Sequence, residues 1–398
     1  MRMRWWLLAL AAVISTGTSA EKKYGPGVSD TEIKLGQTVP YSGPVSAYGT
    51  IGKSEAAYFE MLNHQGGVNG RKIRLISIDD GYSPPKTVEQ TRRLVEEENV
   101  LAIFSPVGTP TSSATHKYLN AKRVPQILIQ SAANKWNDPG NFPWSMSWSP
   151  NAHSETHVFG KYLLQAKPQA KIAVLYQNDD FGKDLLKGLR EALGARAEQM
   201  IVATASYEVT DPTIDSQIVS LQASGADTLF EFTTSRFAAQ AIRKVYDLGW
   251  KPLQFVPYPA SSVAAALIPA GLDKSTGVMT SGFVKDPADP RWKSDPAFQE
   301  WVAFMKKYYP DGDLTDQLNV WGYVSAQVMV QILKQCGDDL TRENVMKQAA
   351  SLKNLELPLY LPGIRNNTSA TDYRMIHRMY LMRFDGKKWM VFGDLQGD

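Results

Sequence analysis

A chain of 398 residues is longer than one ordinary hydrophobic core organises, so two domains are expected. Hydrophobic residues at 43% and charged residues at 21% describe an ordered globular protein and exclude intrinsic disorder. The near balance of 43 basic and 40 acidic side chains gives no reason to expect nucleic acid or an acidic membrane surface as partner, and the lone Cys336 cannot pair within the chain.

At the start, Arg2 and Arg4 flank the apolar run Trp5 to Ile14, which gives way to small residues ending in Thr18-Ser19-Ala20. That is the layout of a secretory signal peptide over residues 1–20, cleaved after Ala20, and the run is shorter than the roughly 20 residues that span a bilayer. Export without an internal disulfide suggests a bacterial periplasm. Residues Glu21 to Asp30 read as an irregular start.

The strand Glu32 to Val39 then breaks at Pro40-Tyr41-Ser42-Gly43-Pro44, and a helix runs from about Thr50 to His64 until Gly66-Gly67 stops it. Strand Lys72 to Ile78, helix Lys86 to Glu98 and strand Val100 to Phe104 follow. The last of these ends in Ser105-Pro106-Val107-Gly108-Thr109-Pro110-Thr111-Ser112-Ser113, ahead of a helix over Ala114 to Lys122. Strand Ile127 to Ile129 stops at Gln130-Ser131-Ala132-Ala133-Asn134. This βαβ order predicts a parallel sheet, whose ligands bind beyond the carboxyl ends of the strands. Hydroxyls, amides and free backbone N–H groups at helix starts suit a carboxylate.

Tyr41-Ser42-Gly43-Pro44 with Tyr48-Gly49, then Asn63 to Arg71 (NHQGGVNGR), Asp79-Asp80 and the Gly108-Thr109 turn resemble the Leu/Ile/Val-binding branch of periplasmic binding proteins. The likeness runs over nearly all of Ile33 to Asp398. It implies an α/β fold of two doubly wound parallel-sheet lobes, joined by a three-strand hinge, that close on a small-molecule ligand. The implied division is 21–148 with 284–358 for the first lobe, and 149–283 with 359–398 for the second. Family members are soluble receptors of ATP-driven (ABC) importers, so a membrane permease is the implied partner, with no cofactor and the receptor a monomer.

Beyond Asn141 to Pro150 a second βα series begins: helix His153 to Leu164, strand Ile172 to Tyr176, helix Lys183 to Leu193 and strand Met200 to Ser206. Helix Ile214 to Ala223, strand Thr228 to Phe232, helix Phe237 to Leu248 and strand Gln254 to Pro257 continue it. Helices over Ala297 to Tyr308, Val320 to Gln335 and Arg342 to Leu352 are expected to return to the first lobe. Met375 to Phe384 and Lys388 to Phe392 read as a hairpin around Asp385-Gly386.

Carried over by position, the resemblance puts the ligand carboxylate at Gly108, Thr109 and Thr111, with Ala132, Ala133 and Asn134 as the partner turn and Tyr48 along the side-chain pocket. Thr109 and Thr111 equally suit a helix cap. On the second lobe Phe181 and the turn Thr234, Ser235, Arg236 take the places of two cleft tyrosines. Amino-acid binders of the family hold the ligand ammonium with a Glu after the strand corresponding to Gln254 to Pro257; here Tyr258-Pro259-Ala260-Ser261 stands there. A small carboxylate without an ammonium, such as an aromatic acid, is therefore the expected ligand, and a branched-chain or other hydrophobic amino acid the alternative, with Glu231 the first candidate replacement. Arg236 offers a second clamp for carboxylate, and the turns at Tyr82, Phe181 and Tyr258 supply flat apolar surfaces that suit an aromatic or other hydrophobic acid.

Enzyme signatures fail. No GxSxG surrounds Ser131, there is no P-loop, and His153-Ser154-Glu155-Thr156-His157 is not HExxH because its Glu stands one place late. No catalytic residue and no metal ligand are expected.

Overall fold

The computed structural model describes residues 22–397, so the leader expected at 1–20 lies outside them. The first lobe is built on strands β1 (Glu32–Val39), β2 (Lys72–Asp79), β3 (Ala102–Phe104), β4 (Gln126–Ile129) and β5 (Ser145–Ser147). They pair in parallel in the order β2-β1-β3-β4-β5. Helices α1 (Gly49–His64), α2 (Pro84–Glu96) and α3 (Thr109–Ala121) supply the crossovers. β3 and β4 are buried along their whole length, which explains why they read as short apolar runs with no alternation.

Lobe two repeats the plan. Helix α4 (Ala152–Ala166) leads into β6 (Ile172–Gln177), α5 (Asp180–Leu193), β7 (Ile201–Tyr207), α6 (Asp215–Ala223), β8 (Thr228–Phe232), α7 (Ser235–Asp247), β9 (Leu253–Phe255) and β10 (Met279–Gly282). After helices α8 (Pro296–Tyr308), α9 (Gln317–Cys336) and α10 (Arg342–Ala349), the chain adds the hairpin β11 (Arg378–Phe384) and β12 (Trp389–Gly397). The sheet order is β12-β11-β10-β9-β8-β6-β7, parallel except for the two hairpin strands. Helix α9 packs on α1, returning to the first lobe as expected: Ser54 Oγ donates to the Asn319 carbonyl at 2.7 Å, and a Cβ on Gly322 would collide with the backbone of Ile51.

Two sequence expectations are corrected. Helix α3 begins at Thr109, five residues before the expected Ala114, because Pro110 sits in the first turn, where a missing N–H costs nothing. The start read as irregular contains a two-residue strand, Lys23–Tyr24, paired in parallel with Asp339–Leu340.

Where the chain passes between the sheets, aromatic side chains form a hub. Trp148 follows β5, Phe283 follows β10, and Tyr360 lies opposite Val284 in an antiparallel bridge. Trp148 Nε1 donates to Tyr360 Oη at 3.0 Å, and Trp148 meets Phe283 edge to face at 5.4 Å between centroids. Trp321 of α9 lies 5.9 Å from Phe283 and 5.5 Å from Tyr258.

Candidate functional site

In open parallel sheets the ligand crevice opens where the strand order reverses. In the first lobe that point lies between β1 and β3, and in the second between β6 and β8. The loops at both points face one cavity with about 480 Å³ of space between atoms.

Of the residues expected at the site, Tyr48, Gly108, Thr109, Ala132, Phe181, Thr234 and Tyr258 line this cavity. So does Tyr82, expected as a flat apolar surface, and Gln130, Ser131, Ser149, Pro259 and Trp321 join them. Trp321 was not legible as a site residue because it lies far along the chain on a helix that returns from the other lobe. Tyr82 is held at φ 60°, with its N–H bonded to Asp80 Oδ1 at 2.9 Å, and its ring covers Gly108. Gly108 itself has φ 106°, and a Cβ there would overlap that ring and Thr111.

The other expected residues stand behind or beside the cavity. Thr111 donates to the carbonyls of Val107 at 2.7 Å and Gly108 at 3.1 Å, locking the first turn of α3. Ala133 follows the lining turn; Asn134 joins the lobes through its N–H to Asp184 Oδ2 at 2.8 Å and its Oδ1, which accepts from His153 N at 3.1 Å. Ser235 binds Tyr48 rather than lining the space. Arg236 is exposed and donates to the Pro212 carbonyl at 3.3 Å, so the second clamp expected of it does not form: on α7 the buried face passes through Ser235 and Phe237, turning position 236 outward.

A chain of donors points at the cavity from the first lobe. Trp136 Nε1, which can only donate, gives its proton to Ser131 Oγ at 2.7 Å, and Ser131 Oγ lies 2.6 Å from Thr109 Oγ1. Ser131 Oγ also accepts from Ala133 N at 3.3 Å, so its own proton goes to Thr109, whose hydroxyl proton is left free to turn toward a ligand. The backbone N–H groups of Thr109 and Ala132 meet no acceptor among the described residues. Such donors at a helix start favour an anion.

No acidic or basic side chain lines the cavity. Asp179 caps α5, accepting from Phe181 N at 3.0 Å, Gly182 N at 3.2 Å and Gln177 Nε2 at 2.6 Å, and burial pushes its carboxyl up. Glu231 does not reach the cavity; it is wholly buried, without a hydrogen-bond partner, and burial pushes it well above the carboxylate range. Below the Tyr258 turn, Glu155 Oε1 accepts from Tyr258 N and Ser281 Oγ, each at 2.7 Å, and burial pushes its carboxyl up to about 8. Tyr258 Oη donates to the Pro150 carbonyl at 2.9 Å. No group of three or more His, Cys, Asp or Glu among the described residues is placed to hold a metal. Nor is any helix among them long and apolar enough to cross a membrane.

A family model described as a periplasmic binding protein matches residues 32–388. The "Leu/Ile/Val-binding protein homolog 7" of Brucella suis is 24% identical over 347 residues, 83% of this chain and 84% of that one. A branched-chain amino acid ABC transporter structure from Thermus thermophilus with bound valine superposes with a TM-score of 0.82 at 15% identity, covering 93% of this chain and 98% of that one. A fatty acid ABC transporter substrate-binding protein from Thermomonospora curvata gives 0.77 at 23% identity, covering 95% of each. Two doubly wound lobes, a cleft at both switch points and these matches agree: the chain belongs to the periplasmic binding proteins, with the type I fold, and its relatives include Leu/Ile/Val-binding protein homologues.

Proposed function

We propose that this protein captures a compact carboxylate that carries no ammonium, closes its lobes over it in the periplasm as a monomer, and delivers it to the permease of an ABC importer. The observation that carries this reading is a cavity of hydroxyls, one amide and aromatic faces with no carboxylate on its wall. Burying an ammonium there without a counter-charge costs several kcal/mol after relaxation. The donors of Thr109 and Ala132 would take the ligand carboxylate, and Tyr48, Tyr82, Phe181, Tyr258 and Trp321 would enclose its apolar part. The ligand adds free energy only to the closed form, and so shifts the population toward it. Export by a signal peptide cleaved after Ala20 and the lobe division at 148/149, 283/284 and 358/359 belong to the same reading.

A thermal-shift panel on chain Glu21 to Asp398, unfolded and refolded to strip carried-over ligand, tests it. Benzoates, phenylpropanoid acids and short fatty acids are set beside Leu, Ile, Val and Phe; a ligand at 100 times its Kd adds about 2.7 kcal/mol to the native state. Shifts are expected with acids. Shifts with amino acids alone would reject the reading in favour of an amino-acid receptor.

A further inference from the structure

Two polar side chains on the cavity wall are buried, and each leaves one oxygen without a well-formed hydrogen bond among the described residues. Gln130, 7% exposed, donates through Nε2 to Ser105 Oγ at 3.0 Å, and its Oε1 meets nothing. Thr234, also 7% exposed, has its Oγ1 beside the Tyr207 hydroxyl, whose proton goes to Gln177 Oε1 at 3.0 Å, and it makes no well-formed hydrogen bond there. They come from opposite lobes, Gln130 from the end of β4 and Thr234 from the turn between β8 and α7. The Ser105 hydroxyl oxygen receives the Gln130 amide N–H, and the amide oxygen is left unpaired beside the cavity.

An acceptor in a cavity without acidic side chains selects for a neutral donor. A ligand ammonium would reach Gln130 Oε1 but bring a charge that nothing on the wall offsets, and a wholly apolar acid would leave both groups unpaired. A hydroxyl does neither: it donates to Gln130 Oε1 and accepts from Thr234 Oγ1. We propose that the ligand is a hydroxylated carboxylic acid, its carboxylate on the donors of Thr109 and Ala132 and its neutral hydroxyl read by Gln130 and Thr234 from the two lobes. The proposal rests on the carboxylate reading and narrows it. Two sources share this chemistry, a branched aliphatic 2-hydroxy acid and a hydroxybenzoate.

Calorimetric titration of the refolded chain with matched pairs tests it: 2-hydroxyisovalerate against isovalerate, 4-hydroxybenzoate against benzoate, and valine as control. Within one pair the hydroxylated acid is expected to bind at least tenfold tighter, and that pair identifies the source. Thr234→Val and Gln130→Met, each checked for a cooperative thermal transition, should narrow the gap to under threefold; should Gln130→Met not fold, Thr234→Val alone decides. Equal affinities within both pairs would overturn the hydroxyl proposal while leaving the carboxylate reading standing. Binding of valine with no acid bound, or of none of the five, would overturn both.

Discussion

At position 258 a phenol occupies the turn where the family resemblance places a glutamate, and its hydroxyl is spent on the Pro150 carbonyl rather than on a ligand. The charge that remains nearby, Glu155, lies beneath that turn and is pushed up to about 8 by burial, against 4.5 for a free carboxyl. Raised in the folded state, it binds a proton there that the unfolded chain has released. Its contribution to stability is full below about pH 4.5 and is lost as pH rises through about 8. Glu55, also pushed up to about 8, acts in the same direction. The melting temperature should therefore fall between pH 6 and 9, and Glu155→Gln should flatten that fall; identical slopes for the two proteins would reject this assignment. Gly108→Ala combines a disfavoured positive φ with overlap on the Tyr82 ring. It should destabilise by about 1–3 kcal/mol in urea unfolding and abolish ligand binding.

Among the elements, α3 carries most of the proposed recognition, since its first residue takes the proton relayed from Trp136 through Ser131. Thr109→Val keeps the shape and removes the hydroxyl. A hydrogen bond to a charged group is worth about 1.5–3 kcal/mol, so acid affinity should fall about 10- to 100-fold by titration. The order of strands and helices was legible because turn residues punctuate every βα unit. The polar turns Gly108-Thr109, Ser131-Ala132 and Thr234 were legible because they follow apolar strands directly. Facing was not: Arg236 and Thr234 stand two places apart in one turn, and only the packing of α7 decides that one is exposed while the other lines the cavity. The start of α3 was misplaced for a local reason, Pro110, which reads as a breaker but is well suited to a first turn. Trp321 needed the fold itself, because its place on the cavity wall depends on how α9 packs against α1.

Across the whole molecule the lobes meet directly as well as through a ligand. Tyr48 Oη donates to the Pro259 carbonyl at 2.8 Å and accepts from Ser235 N at 3.1 Å, while Lys135 reaches Asp180 at 2.7 Å and Ser262 Oγ donates to Asp316 at 2.9 Å. The exposed Lys135–Asp180 pair adds little and is screened by salt; the buried Tyr48 contacts are not. Tyr48→Phe leaves the Pro259 carbonyl and Ser235 N–H unpaired, at a cost of about 1–3 kcal/mol in the closed form. Ligand dissociation followed by stopped flow should accelerate about 5- to 100-fold, with the preference among acids retained. A changed preference at an unchanged rate would make the Tyr48 hydroxyl, and not only its ring, a ligand contact. Cavity and hinge share side chains, for Tyr258 and Trp321 line the one and join the aromatic hub of the other.

The most direct test is calorimetry at pH 7 with three compounds on one carbon skeleton: isovalerate, valine and isopentylamine. A wall of donors without a carboxylate predicts that isovalerate binds at least tenfold more tightly than valine and that isopentylamine does not bind. Tighter binding of valine or of the amine would contradict it, because either requires an anionic partner for the ammonium within the cleft.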